Sequence, residues 1–271
     1  MEGSLSLVIF TLLGQASAGM MLLLPFFADP ETGRGRIAGG VALALLCAGA
    51  LFSLGHLSDP WVSFYTITNT GTSWLSREIW FVGLLGAATL AWLVTRRAWI
   101  RWLAALVGLG LVYVMSRVYT LPTVPFWNSA ATFWTFLASG LLTGAATLLF
   151  LNGLAARRDP EAARRLATGW QPVILVLAFG LRVLVLPLQW MASPMPDHVV
   201  LQCWTLAFLL AGAALGPLLL VRNGCRAALS GESRICPCPL AVRASILCGL
   251  TWAGEICGRM LFYSGYTWFG M

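Results

Sequence analysis

The chain has 271 residues, 59% of them hydrophobic and 10% charged, and its mean hydropathy is +0.81. Soluble domains carry roughly 25% charged residues, so this composition excludes one and points to an integral membrane protein. The apolar runs suit helices, which need about twenty residues to cross about 30 Å of hydrocarbon; a barrel would show alternating segments of about ten.

In chain order the sequence predicts eight membrane helices, over residues 4–27, 37–57, 77–95, 99–118, 131–153, 171–190, 199–221 and 240–265. The breaks carry turn punctuation: Asp29-Pro30 after the first, Asp59-Pro60 after the second, Asp159-Pro160 after the fifth and Pro194-Met195-Pro196 after the sixth. Glu2, an acid, precedes the first run and no basic segment does, which predicts a retained helix rather than a cleaved signal peptide. No soluble domain and no repeat interrupts the series. The expected fold class is an all-α integral membrane protein, a single domain of eight transmembrane helices over residues 1–271.

All seventeen basic residues are arginines. With eight spans, alternate loops share a side, and one side collects Arg34, Arg36, Arg96, Arg97, Arg157, Arg158, Arg164, Arg165, Arg222, Arg226 and Arg234. The positive-inside rule makes that side cytoplasmic and puts both termini outside. The opposite side has Arg77 and Arg117 close to helix ends, with Arg259 near the outer end of the last helix. Topology thereby accounts for the net charge of +7, and no nucleic-acid partner is called for.

The second run ends in FSLGHLSDPW, where His56 is one of only two histidines. Glu78 opens the third helix, and Arg117 and Tyr119 close the fourth in SRVYTLPTVPFW, so all four fall at one outer depth. Trp61, Trp74, Trp80, Phe126 and Trp127 accompany them, a mixture that suits a ring-shaped amphipathic ligand. Each residue also has a plainer reading. His56 reads as a helix-end group facing interfacial water. Glu78 follows Ser76, an N-cap type, and the helix dipole favours a first-turn acid by about 0.3–1 kcal/mol. Arg117 and Tyr119 read as interface anchors. Their convergence at one level is what favours a site.

Within the later helices stand Arg182, Glu255 and Arg259. A charge at a helix centre costs about 2.5–3.5 kcal/mol on insertion scales, so each needs a partner or a wet cavity. Glu255 and Arg259, four residues apart, are spaced to pair along one face, with Arg182 at comparable depth to join them. A buried ionic clamp is preferred here to a proton path. Gly140 with Gly144, and Gly254 with Gly258, predict close helix packing. Cys47, Cys203, Cys248 and Cys257 sit in apolar runs as small hydrophobes. Cys225, Cys236 and Cys238 cluster without a fourth ligand, so no metal site is expected.

The segments FTLLGQASAG, GHLSDPW, TSWLSREI, SRVYTLPTVPFWNSAATF and AGEICGRMLFY occur in this order along most of the chain. As a set they resemble the membrane anchor subunit of bacterial dimethyl sulfoxide reductase, whose eight-helix count agrees. Ser58 departs from the glycine expected after His-Leu, and the loop with Cys225, Cys236 and Cys238 looks particular to this chain. The resemblance implies a multi-pass subunit of the bacterial inner membrane, termini periplasmic, that oxidises menaquinol and binds no cofactor tightly itself. It implies an iron-sulfur partner with [4Fe-4S] clusters and a catalytic partner with molybdenum bis(pyranopterin guanine dinucleotide), both on the periplasmic face. The residues matching its quinol site are His56 and Glu78.

Quinol oxidation releases two electrons and two protons, so a site must hold the ring hydroxyl beside a base. Neutral imidazole, with an ordinary pKa of about 6.5, accepts such a proton, which assigns His56 as acceptor and Glu78 as its hydrogen-bond partner or relay. Arg117 and Tyr119 would orient the headgroup. A haem between His56 and His198 is not expected, since the resemblance argues against it. Three alternatives stay open: the anchor of another respiratory molybdoenzyme, such as a polysulfide- or selenate-type reductase, a tether without redox function, and a transporter. Transporters commonly break helices near the midplane, whereas these polar groups gather at one edge.

Overall fold

The structure, a computed structural model, describes residues 2–27, 32–54, 67–124, 126–157, 159, 170–191, 202–212 and 237–267. Among them eight helices follow one another: α1 (Glu2–Phe27), α2 (Gly33–Leu54), α3 (Trp74–Thr95), α4 (Ala98–Tyr119), α5 (Ala130–Ala155), α6 (Gln171–Met191), α7 (Gln202–Gly212) and α8 (Pro237–Thr267). No strand occurs among the described residues. Helices α1 to α5 are each long and apolar enough to cross a membrane, with hydropathies from 1.6 to 2.2. Shorter apolar stretches lie in α6, Val173–Leu188, and in α7, while α8 carries Arg243, Glu255 and Arg259. The all-α class and helix order are as expected. Five candidate spans stand among the described residues, where the sequence predicted eight.

Side-chain contacts sort the helix termini into two ends. At one end, Asn152 of α5 and Gln171 of α6 both donate to the Phe27 carbonyl that closes α1, at 2.7 and 2.8 Å. There too Arg34 of α2 meets Asp159 at 3.3 Å. At the other end, Tyr263 of α8 reaches the Leu7 carbonyl near the start of α1, and Trp127, just before α5, donates to the Phe262 carbonyl at 2.8 Å. Trp74 at the start of α3 packs edge-on to Tyr113 of α4. The first is the arginine end and the second the aromatic end. Both are built by consecutive helices running in alternate directions.

Helix α1 is the centre of the bundle, packed against α2, α4, α5 and α8. Its tightest crossing is with α5, where Gly19 lies on the backbone of Gly140 and a methyl group on Gly144 would stand 2.6 Å from the Gly19 carbonyl carbon. Small residues let helix backbones meet in this way, and lipid gives no hydrophobic drive to replace the contact. On α8, Gly254 faces Phe208 and Leu209 of α7, and Gly258 faces Thr205 of α7 and Arg182 of α6. The two glycine pairs therefore lie at helix contacts.

Helix α3 starts earlier than the apolar pattern suggests. Ser73 is its N-cap, accepting from the Ser76 N–H at 3.3 Å. Arg77 reaches back to the Thr70 and Gly71 carbonyls at 2.8 and 2.7 Å and fixes the preceding turn. Ser76 is thus inside the helix, and Glu78 lies beyond the first turn. The capping role expected for Ser76 passes to Ser73, and the dipole explanation for Glu78 goes with it.

Candidate functional site

Glu78 is 3% exposed, a carboxyl buried one turn inside the aromatic end of α3. Its Oε1 has no hydrogen-bond partner among the described residues. An orphaned buried carboxyl is costly unless something satisfies it. Tyr119, the last residue of α4, is also buried. Its ring is met edge-on by Trp127, Phe136, Phe262 and Tyr263, at centroid distances of 5.6, 5.7, 5.7 and 5.4 Å. The Tyr263 hydroxyl donates to the Tyr119 oxygen at 2.6 Å. Glu78 lies within electrostatic reach of both phenols. The structure therefore brings Glu78 and Tyr119 into one buried region.

Arg117 takes another direction. It is exposed, and its guanidinium lies 5.2 Å from the Trp74 ring, which also receives Arg77 at 4.3 Å. Two cations share one indole at the rim, while Tyr119, two residues on, turns inward. His56 and Trp61 lie outside the described residues, as do His198, Cys225 and Cys236, while Cys238 stands in the first turn of α8. Phe126 and Trp127 are buried, and Trp80 is half exposed with its indole N–H on the Ile67 carbonyl at 3.1 Å. Among the described residues no three His, Cys, Asp or Glu side chains gather as a metal site.

Deeper in the bundle, the sequence spacing paired Glu255 with Arg259. The structure instead pairs Glu255 with Arg182 of α6, Nε to Oε1 at 2.7 Å, with side-chain exposures of 1% and 3%. Arg259 donates to Gln15 Oε1 on α1 and to Ser139 Oγ on α5, and its guanidinium lies 4.1 Å from the Phe136 ring. Gly258 leaves room for this approach: a methyl there would stand 3.0 Å from Arg182 Nη2.

Sequence reasoning missed Tyr263, Gln15 and Thr11 as members of this arrangement. The Tyr263 hydroxyl lies 3.5 Å from Thr11 Oγ1, and Gln15 meets Arg259. Their signal was available: Thr11 and Gln15 on α1, and Glu255, Arg259 and Tyr263 on α8, step by four along otherwise apolar helices. Such spacing aligns polar groups on one face.

Fold and site together define a multi-pass helical membrane protein whose buried polar groups form a seam along α8, leading to an acid and two phenols at one end. A family model described as "DMSO reductase anchor subunit (DmsC)" matches residues 1–265, and the chain belongs to that family. It is 29% identical over 295 residues to the YnfH subunit of the anaerobic dimethyl sulfoxide reductase of Escherichia coli (strain K12), covering 98% of this chain and 95% of the relative. It is 28% identical over 291 residues to the C subunit of the anaerobic dimethyl sulfoxide reductase of Haemophilus influenzae (strain ATCC 51907 / DSM 11121 / KW20 / Rd), covering 98% and 96%. The protein is thus a membrane anchor of a dimethyl sulfoxide reductase-type oxidoreductase complex.

Proposed function

We propose that the aromatic end is a quinol-oxidising site, menaquinol being the donor, and that it faces the periplasm. The observation that carries this reading is Glu78: a buried carboxyl with an oxygen unpartnered among the described residues, away from any capping position and within electrostatic reach of the Tyr119–Tyr263 hydroxyl pair. A ring hydroxyl satisfies such an oxygen. Oxidation to the quinone releases two electrons and two protons. In this reading His56 takes a proton from one hydroxyl and Glu78 hydrogen-bonds the imidazole or relays the proton to water at the aromatic end. Tyr119, held by Tyr263, orients the headgroup. Arg117, stacked on Trp74, acts at the mouth, where a cation at the rim suits an approaching headgroup or partner.

The electrons pass to an iron-sulfur partner with [4Fe-4S] clusters, docked on the same face. From there they reach a catalytic subunit holding molybdenum bis(pyranopterin guanine dinucleotide), which reduces the terminal acceptor. The anchor sits in the bacterial inner membrane with its arginine end in the cytoplasm. This reading is favoured over a transporter because the unpartnered acid lies at the bundle's edge, and over a bare tether because a tether needs no buried orphan carboxyl.

The test is a pair of variants in the assembled complex. Glu78→Gln and His56→Arg are expected to leave the partners at the membrane, while quinol-dependent acceptor reduction falls by about 10²–10⁴-fold, the usual worth of a positioned acid-base group. An artificial donor that feeds the soluble partners directly should still support turnover. Quinol-dependent rates near wild type in both variants would remove the site.

A further inference from the structure

Among the described residues, the arginine end holds a cation with no counter-charge. Arg101, in the first turn of α4, is 7% exposed, and its Nε and Nη1 are buried with no hydrogen-bond partner among the described residues. The Trp102 ring lies 4.7 Å from its guanidinium carbon and covers a face of the group without satisfying an N–H. A guanidinium removed from water without an anion is among the least favourable arrangements a fold can hold. The only acid placed at this end among the described residues is Asp159, which Arg34 engages.

Two further features converge on the same point, the start of α4 and the charge crowded before it. The N-cap of α4, Arg97, gives no side-chain hydrogen bond to the helix; its carbonyl accepts from the Ile100 and Arg101 N–H groups, which leaves the helix start without a side-chain cap against its partial positive charge. A cation in a first turn also opposes the helix dipole, so Arg101 is misplaced twice over unless an anion sits between them. Finally, desolvation and then the charge of Arg36 lower the proton affinity of Arg96, which closes α3 immediately before Arg97. Positive charge is thus crowded at the α3–α4 connection. Trp99 and Trp102 flank it, 60% and 45% exposed, as indoles do at headgroup level.

We propose that Arg101 and the uncapped start of α4 bind a phosphate anion, the phosphodiester of an anionic phospholipid headgroup, with Arg97 at the rim. Side chains of a helix lean toward its N-terminus, so the Arg101 guanidinium is directed back to the membrane surface where those phosphates lie. An anion there supplies the partner that the described residues do not provide. The site lies at the opposite end of the bundle from Glu78 and Tyr119, so its occupancy is independent of the quinol reading.

The test uses the detergent-purified complex, stripped of native lipid and titrated by native mass spectrometry with dioctanoyl phosphatidylglycerol, dioctanoyl phosphatidylcholine or inorganic phosphate. Phosphatidylglycerol should bind about tenfold more weakly to Arg101→Gln, as loss of a charge-assisted contact predicts, and with a smaller loss to Arg101→Lys, which keeps charge but not the fork. The exposed Arg157→Gln removes an equal charge at the same end and should bind like wild type. Displacement of phosphatidylglycerol by millimolar phosphate would place free phosphate in the same site, and absence of displacement would assign it to the lipid. Equal binding of phosphatidylglycerol and phosphatidylcholine by wild type, or undiminished phosphatidylglycerol binding by Arg101→Gln, overturns the proposal. Should the Gln variant fail to accumulate, the wild-type preference between the two lipids decides.

Discussion

Replacing Glu255 by glutamine keeps the side chain's shape and an oxygen for Arg182 Nε, and removes only the negative charge. The pair it disturbs is 2.7 Å long with side chains 3% and 1% exposed, so water and salt screen it little. Breaking a buried ion pair by removing one partner costs about 3–5 kcal/mol, because the other charge is left uncompensated. The glutamine oxygen still accepts a hydrogen bond, which places the expected loss at the lower end, about 3 kcal/mol. Arg182 Nη1 and Arg259 Nη1 already lack hydrogen-bond partners among the described residues, so no spare acceptor softens the loss. At about 1.4 kcal/mol per tenfold, the folded fraction falls by roughly two orders of magnitude relative to unfolded chain.

The assay is equilibrium unfolding of the purified protein, run as a cycle with Arg182→Met and the double Arg182→Met/Glu255→Met. The double variant should recover a large part of what either single variant loses, since a buried pair exchanged for well-packed apolar groups is often close to neutral. Quinol-dependent turnover per assembled complex should remain near wild type in Glu255→Gln. Unchanged stability together with collapsed turnover would show that the seam carries protons, and additive losses in the cycle would show that the two groups do not depend on each other.

Two other expectations concern topology and packing. Reporter fusions after Gly33, Arg97, Pro160 and Ser230 should report cytoplasm and those after Thr68, Val124 and Asp197 periplasm; a reversed pattern at Thr68 or Val124 would move the quinol site and its partners to the wrong face. Gly19→Leu should sharply reduce the membrane-inserted folded protein, measured by protease resistance, since Gly19 lies on the Gly140 backbone and overpacking costs about 1–3 kcal/mol or more. Gly83→Leu, where added bulk meets open space, should be tolerated.

The sequence was most informative where burial leaves a compositional trace. Apolar runs marked α1 to α6 and α8 to within about a turn, and Gly140 with Gly144 marked a close helix contact. It was less informative about direction around a helix axis. Arg117 and Tyr119 close the same helix at the same depth, yet one faces outward to Trp74 and the other packs inside an aromatic cage. Depth follows from position along the helix, whereas azimuth depends on which neighbours surround it. The Glu255 pairing failed for a related reason. Spacing along α8 offered Arg259, but the partner comes from α6, where Arg182 reaches across beside Gly258. The α3 cap was misplaced because Ser73 and Ser76 are equally good candidates by type, and the turn held by Arg77 decides between them.

The same helix carries both the seam and part of the site, and that links their behaviour. Glu255 and Tyr263, with Arg259 between them, stand eight positions apart on α8, about 12 Å along the axis. At the first level α8 is tied to α6, at the second to α1 and α5, and at the third to α1 and α4. Each tie joins polar groups that lipid cannot satisfy, so sliding α8 by a turn would orphan all three at once. The position of the Tyr263 hydroxyl, which donates to Tyr119, therefore depends on ties made lower on the same helix. A change that shifts α8, unlike the isosteric Glu255→Gln, should reach the aromatic end as a displacement of Tyr263 rather than through a chain of protons, which is why the clamp and the site must be separated by measuring stability and turnover on the same variants.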